Sequence, residues 1–172
     1  WVPVMKKEEY ESADIRIRHA FVIAALSWLF MSFLGAMPFF LSGYLDILSA
    51  WFESMSGFTA TGLTMFSDVE SLPKSILLWR SITQWVGGVG IVVLFLSVMM
   101  RRSKIFQSLY MAEGRTDKIV PSIVGTTRRI WLIYSLYTLL AFITFFYLGM
   151  PAFDAINVAM TALATGGFAV TN

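Results

Sequence analysis

Ala50-Trp51-Phe52-Glu53-Ser54-Met55-Ser56-Gly57-Phe58-Thr59-Ala60-Thr61-Gly62 decides the reading of this chain, because it has a second copy. That copy is Ala155-Ile156-Asn157-Val158-Ala159-Met160-Thr161-Ala162-Leu163-Ala164-Thr165-Gly166-Gly167, offset throughout by 105 residues. Each copy follows a membrane-length apolar segment. Each is itself too short to cross about 30 Å of hydrocarbon. Each ends in Thr and Gly, which suits a half-length helix followed by an extended, ion-facing string. Backbone carbonyls replace a cation's water only where the chain is extended and comes close to the ion. Gly permits that approach, having no Cβ and tolerating positive φ.

Composition points to the same class. The 172 residues are 57% hydrophobic and 14% charged, with mean hydropathy +0.69. A soluble domain carries about 25% charged residues. The absence of Cys excludes disulfides and thiolate metal sites, and the single histidine, His19, cannot form a His cluster. No basic run resembles a nucleic-acid face, and the net charge is only +2. A membrane enzyme would need a constellation that the spans lack: they hold no Cys, no second His and no paired acids. Trp1 at the start, and Asn172 only five residues past Gly167, read as cuts through a longer protein.

Working outward, three segments are long enough to span: 20–42, 75–100 and 130–153. The half-length segments are 47–57 and 155–164, with candidate ion-filter strings at 59–63 and 164–168. Lipid cannot satisfy open backbone groups, so the spans must be helices. Met37-Pro38 and Met150-Pro151 are read as the outer ends of the two first helices. Residues 103–111 carry Ile105, Phe106, Leu109 and Tyr110 at helical spacing, which suits an amphipathic surface helix.

Charge gives the orientation. Lys6, Lys7, Arg16 and Arg18 precede the first span. Arg101, Arg102, Lys104, Arg115, Lys118, Arg128 and Arg129 lie between the second and third. The positive-inside rule then puts 1–19 and 101–129 in the cytoplasm. The first half-length segment must dip in and return outside. The expected fold is all-α integral membrane, built of helix–pore-loop–helix repeats. Residues 20–100 form one complete repeat and 130–172 the first part of a second.

Several residues have two readings. Thr59, Ala60, Thr61, Gly62 and Leu63 form either a cation filter or an ordinary Thr/Gly turn. The repeat at fixed offset favours the filter, as it does for Ala164, Thr165, Gly166, Gly167 and Phe168. Arg80, about five residues inside its span, suits pairing with an acid behind the filter more than direct ion repulsion. Glu53 is a candidate partner. Asp46, Asp68, Glu70 and Asp154 either concentrate cations at an outer mouth or form a solvated face. Gly87, Gly88 and Gly90 sit inside a span, where close helix packing explains them better than phosphate binding. Trp28, Trp79, Trp85 and Trp131 suit interfacial belts or packing.

Three strings resemble the Trk/Ktr/HKT potassium-transporter superfamily, in particular its TrkH/KtrB-type membrane subunit. They are 52–62, Leu78-Trp79-Arg80-Ser81-Ile82-Thr83-Gln84-Trp85-Val86-Gly87-Gly88-Val89-Gly90-Ile91-Val92-Val93-Leu94, and Ala164-Thr165-Gly166-Gly167-Phe168. The resemblance implies a pore of four repeats in one polypeptide, each giving one filter strand with a characteristic Gly. Here those are Gly62 and Gly167. It implies K+ bound by carbonyls of residues 59–63 and 164–168, with K+ as cargo and no covalent cofactor. It further implies further repeats of the same chain, a homodimer and a cytoplasmic nucleotide-binding ring of TrkA/KtrA type. The expected location is the cell membrane. Another monovalent-cation transporter of the same architecture, or a non-conducting membrane fragment, is the alternative.

Overall fold

The computed structural model describes residues 7–101 and 123–171, and every regular element among them is helical. These are α1 Lys7–Leu41, α2 Ile47–Phe58, α3 Lys74–Arg101, α4 Ile123–Tyr147 and α5 Ala152–Leu163. The proposed surface helix at 103–111, most of the 101–129 loop and residues 1–6 lie outside the described residues.

The stretches Phe21–Leu41 in α1 and Gly125–Tyr147 in α4 are long and apolar enough to cross a membrane. Both present most of their side chains outward, including Phe30, Leu34, Leu132, Leu136 and Phe146. Exposed apolar surface on this scale is unfavourable in water and natural in lipid. α3 is the opposite case. Its 28 residues bury Arg80, Ser81, Thr83 and Gln84 at 2% exposure or less. It is the helix against which both half-length helices pack.

The helix ends differ from the Pro-based expectation. α1 runs through Pro38 to Leu41, and Pro151 opens α5 instead of closing α4. Pro38 has no N–H to donate to the carbonyl four residues earlier, yet α1 continues three residues past it. The stops are glycines in the left-handed region, Gly43 at φ 76° and Gly149 at φ 95°. Each donates its N–H back into the last turn, Gly43 to the Phe40 carbonyl and Gly149 to the Phe146 carbonyl.

Asp46 starts α2. Its carboxylate accepts from the Leu48 and Ser49 amides at 3.1 and 3.4 Å, satisfying donors that a helix start leaves open. A compact apolar cluster lies beside this end. It joins Ala36 and Phe39 of α1, Ala50 of α2, Phe66, Val69 and Leu72 of the connection, and Ile76 and Leu77 of α3. Tryptophan N–H groups tie the helices together. Trp51 donates to Ser32 Oγ, Trp79 to the Gly35 carbonyl and Trp85 to Thr138 Oγ1, each at 2.9 Å. These three are therefore packing residues with satisfied donors.

Candidate ion-binding strings

α2 and α5 are both 12 residues long, and their ends match bond for bond. After α2, the Thr59, Ala60 and Thr61 amides donate to the carbonyls of Met55, Gly57 and Ser56. After α5, the Ala164, Thr165 and Gly166 amides donate to Met160, Ala162 and Thr161. Every donor and acceptor repeats at the offset of 105. The 5→2 and 6→1 pattern closes a helix when the residue past the cap turns left-handed.

That residue is normally Gly. Here it is Ala60 at φ 53° and Thr165 at φ 54°, the only non-Gly residues with positive φ among those described. A left-handed residue with a Cβ costs about 1–2 kcal/mol. Two residues later the chain turns left-handed again, at Gly62 (φ 80°) and Gly167 (φ 77°). Sequence comparison finds the Thr-Gly repeat; the paired strain at Ala60 and Thr165 emerges only in three dimensions.

The two strings touch. A Cβ on Gly62 would collide with the Gly166 carbonyl oxygen, whereas nothing lies within 4 Å of the same position on Gly167. Thr59 donates its hydroxyl to the Met55 carbonyl at 2.7 Å and lies 2.8 Å from the Thr61 hydroxyl. The second string alternates: Ala164, Gly166 and Phe168 are buried, and Thr165, Gly167 and Ala169 are exposed.

Behind the strings stands a buried polar frame. Arg80 Nε lies 2.8 Å from Glu53 Oε1, with side chains 2% and 0% exposed. Arg80 Nη1 donates to the Ala169 carbonyl at 3.0 Å and Nη2 to Thr64 Oγ1 at 3.1 Å. Its guanidinium also lies over the Phe168 ring, 4.3 Å from the centroid. The Glu53 carboxylate accepts from the Met65 amide at 2.7 Å and from the Thr64 hydroxyl at 3.0 Å. One ion pair thus holds the chain just beyond both strings. This is the pairing expected for Arg80 and Glu53. Sequence reading gave Thr64 and Gln84 no role. Gln84, fully buried, donates from Nε2 to the Gly166 carbonyl at 2.8 Å and accepts at Oε1 from the Phe168 amide at 3.1 Å. Its signal was available: a large polar side chain one turn after Arg80 in an apolar span.

The glycines of α3 explain how it comes so close. A Cβ on Gly87 would strike the Phe58 carbonyl at the end of α2. One on Gly88 would lie 3.0 Å from Ala164 Cα and 2.9 Å from the Tyr134 hydroxyl oxygen. One on Gly90 would lie 3.2 Å from Trp28 of α1. Gly87 and Gly88 therefore seat α3 against the ends of both half-length helices. Asp46, Asp68 and Glu70 are exposed, and the first two also accept backbone hydrogen bonds. Asp46 caps α2, Asp68 accepts from the Glu70 and Ser71 amides, and Glu53 is enclosed.

An all-helical membrane protein with two half-length helices, each ending in a strained extended string braced by one buried helix, is the class this fold defines. The chain belongs to the TrkH family of cation transport proteins, whose model matches residues 2–172. It is 43% identical over 167 residues to an uncharacterized cation transporter of Methanocaldococcus jannaschii, covering 96% of this chain and 35% of that one. It is 37% identical to the Trk system potassium uptake protein TrkH of Escherichia coli K12, covering 98% and 35% respectively. The crystal structure of the potassium transporter TrkH from Vibrio parahaemolyticus superposes with a TM-score of 0.73 at 31% identity. That match covers 90% of this chain and 31% of the other. The chain thus spans about a third of the length of the relatives it matches.

Proposed function

We propose that this chain is part of a potassium-uptake pore. In it, residues 59–63 and 164–168 form two of the strands of a carbonyl-lined filter. One observation carries the reading: the repeated pair of left-handed residues, Ala60 with Gly62 and Thr165 with Gly167, after two helices with identical terminal hydrogen bonds. Left-handed turns at alternate positions reorient successive peptide planes, so carbonyls on either side of Gly166, whose own carbonyl Gln84 holds, can face one side. A row of such carbonyls is what dehydrates a cation. The helix C-termini behind the strings contribute partial negative charge.

The relatives named above as a potassium uptake protein and a potassium transporter support K+ as the cargo. A ring of carbonyls needs more than two strands. Gly62 packs on the second string, and the open side of Gly167 is where the ring would continue with further repeats of the longer protein. We further propose residues 1–19 and 101–129 as cytoplasmic, a homodimer as the assembly, and a nucleotide-binding ring as the cytoplasmic partner.

The deciding experiment is ion flux. The full-length protein, reconstituted in vesicles under K+, Rb+ and Na+ gradients, should pass K+ and Rb+ well ahead of Na+. Flux with no preference among the three would overturn the filter assignment.

A further inference from the structure

We propose that Gln84 is a positioning residue for the second string, turning the Gly166 carbonyl into a strut on the protein side and so setting which carbonyls meet the ion. The inference rests on the filter reading above and deepens it. The direction of the amide is fixed by its partners. Gly166 O can only accept and Phe168 N–H can only donate, so Nε2 must face the first, at 2.8 Å, and Oε1 the second, at 3.1 Å. A single side chain therefore grips the string on both sides of Gly167. Because Gln84 has no exposed surface, water cannot replace it.

The grip has a geometric consequence. The Gly166 carbonyl points at Gln84 and is also the atom that a Cβ on Gly62 would strike. It is thus held between α3 and the first string. Gly166 and Phe168 lie on the buried side, and Thr165 and Gly167 on the exposed side. With the Gly166 carbonyl fixed inward, the peptide planes on either side of Gly167 are fixed too. Gln84 belongs to α3, the closing helix of the first repeat, so the position of one strand is dictated by the neighbouring repeat. Arg80, one turn earlier, extends the same grip to the Ala169 carbonyl.

Removing the amide would leave a buried acceptor and a buried donor without partners, a penalty large enough to reorient a peptide plane. The test uses the full-length protein with Gln84→Leu, which keeps the bulk and loses both bonds. Gln84→Met, which keeps a similar length but offers no donor for Gly166 and only a weak acceptor for Phe168, keeps the test available if the first variant fails to accumulate. Gly62→Ala tests the filter reading itself. The readouts are the apparent KM for Rb+ and its inhibition by Na+, each per molecule of protein in the membrane. Both Gln84 variants should lose discrimination against Na+ on the order of tenfold. A merely structural role would lower the amount of protein and leave the ratio alone. An unchanged ratio in a well-expressed Gln84 variant, with the ratio altered in Gly62→Ala, overturns the positioning role and leaves the filter standing. An unchanged ratio in all the variants overturns both.

Discussion

Arg80 on α3 and Glu53 on α2 form an ion pair at 2.8 Å that is almost wholly enclosed by protein. Two charges in that position are expensive to dehydrate. Here both groups have further partners: Arg80 also donates to Thr64 and Ala169, and Glu53 also accepts from Thr64 and Met65. The pair links α2, α3 and the segments following both strings. Its physical purpose is to fix relative position.

Breaking one side should be costly. Arg80→Met or Glu53→Leu leaves a buried charge without its counterion, which costs about 3–5 kcal/mol. The double variant removes both charges and should recover a large part of that loss. Thermal unfolding of the purified full-length protein in detergent, run as a double-mutant cycle, measures this. Additive losses from the two single variants would show that the pair is not coupled.

The long apolar helices α1 and α4 and the 12-residue helices α2 and α5 are legible in the sequence, because lipid imposes length and apolarity on any crossing segment. Arg80 and Glu53 stand out for the same reason, since an ion within apolar sequence needs a partner. Gln84 is visible as a polar residue in an apolar span, but its role is not legible, because its partners are backbone atoms 82 and 84 residues away. Nor is the strain at Ala60, whose side chain gives no hint of a left-handed backbone. Pro38 misleads in the other direction: it is a conspicuous breaker, but Gly43 ends the helix.

Asp46 predicts a pH effect. Hydrogen bonds from the Ser49 hydroxyl and amide, with a further bond from the Leu48 amide, hold its carboxyl below the ordinary value of 3.8. Ionised Asp46 is thus favoured by the fold. Its contribution is present above the ordinary value and is lost as pH falls through the lower folded one. Asp46→Asn keeps a neutral cap and Asp46→Ala removes it. The stability advantage of the parent over Asp46→Asn should shrink as pH drops from 7 to below about 3.8, and unfolding midpoints across that range check it. A constant advantage would mean that the charge is not what matters.

Topology is open to chemical labelling. The sequence has no Cys, so a single introduced thiol gives a clean signal once any cysteine elsewhere in the full-length protein is replaced. Ser71 is exposed in the connection before α3. Ser71→Cys should react with an impermeant reagent added to intact cells. Ser103→Cys, in the basic stretch, should react only after permeabilisation. The reverse pattern would invert the proposed orientation.

Gly62 offers the sharpest test of the two strings. Gly43 and Gly62 have nearly equal positive φ, 76° and 80°. A Cβ at either site therefore carries a similar left-handed penalty, about 1–2 kcal/mol. Their surroundings differ. Gly43 has nothing within 4 Å of its would-be Cβ, whereas Gly62 faces the Gly166 carbonyl oxygen of the other string. Gly43→Ala thus isolates backbone strain, and Gly62→Ala adds a direct push on the second string. Gly88→Ala is a poorer control than its place in a span suggests, because its methyl would press on Ala164 at the start of that string. In the full-length protein, Gly43→Ala should lower stability slightly and leave the Rb+ to Na+ uptake ratio unchanged. Gly62→Ala and Gly62→Ser should lower the ratio on the order of tenfold or more, because carbonyls displaced by a fraction of an ångström no longer favour one dehydrated cation over another. Uptake is to be normalised to protein in the membrane. Equal ratios in Gly43→Ala and Gly62→Ala would reduce the contact between Gly62 and Gly166 to packing, and would leave the repeated Thr-Gly strings as structural turns.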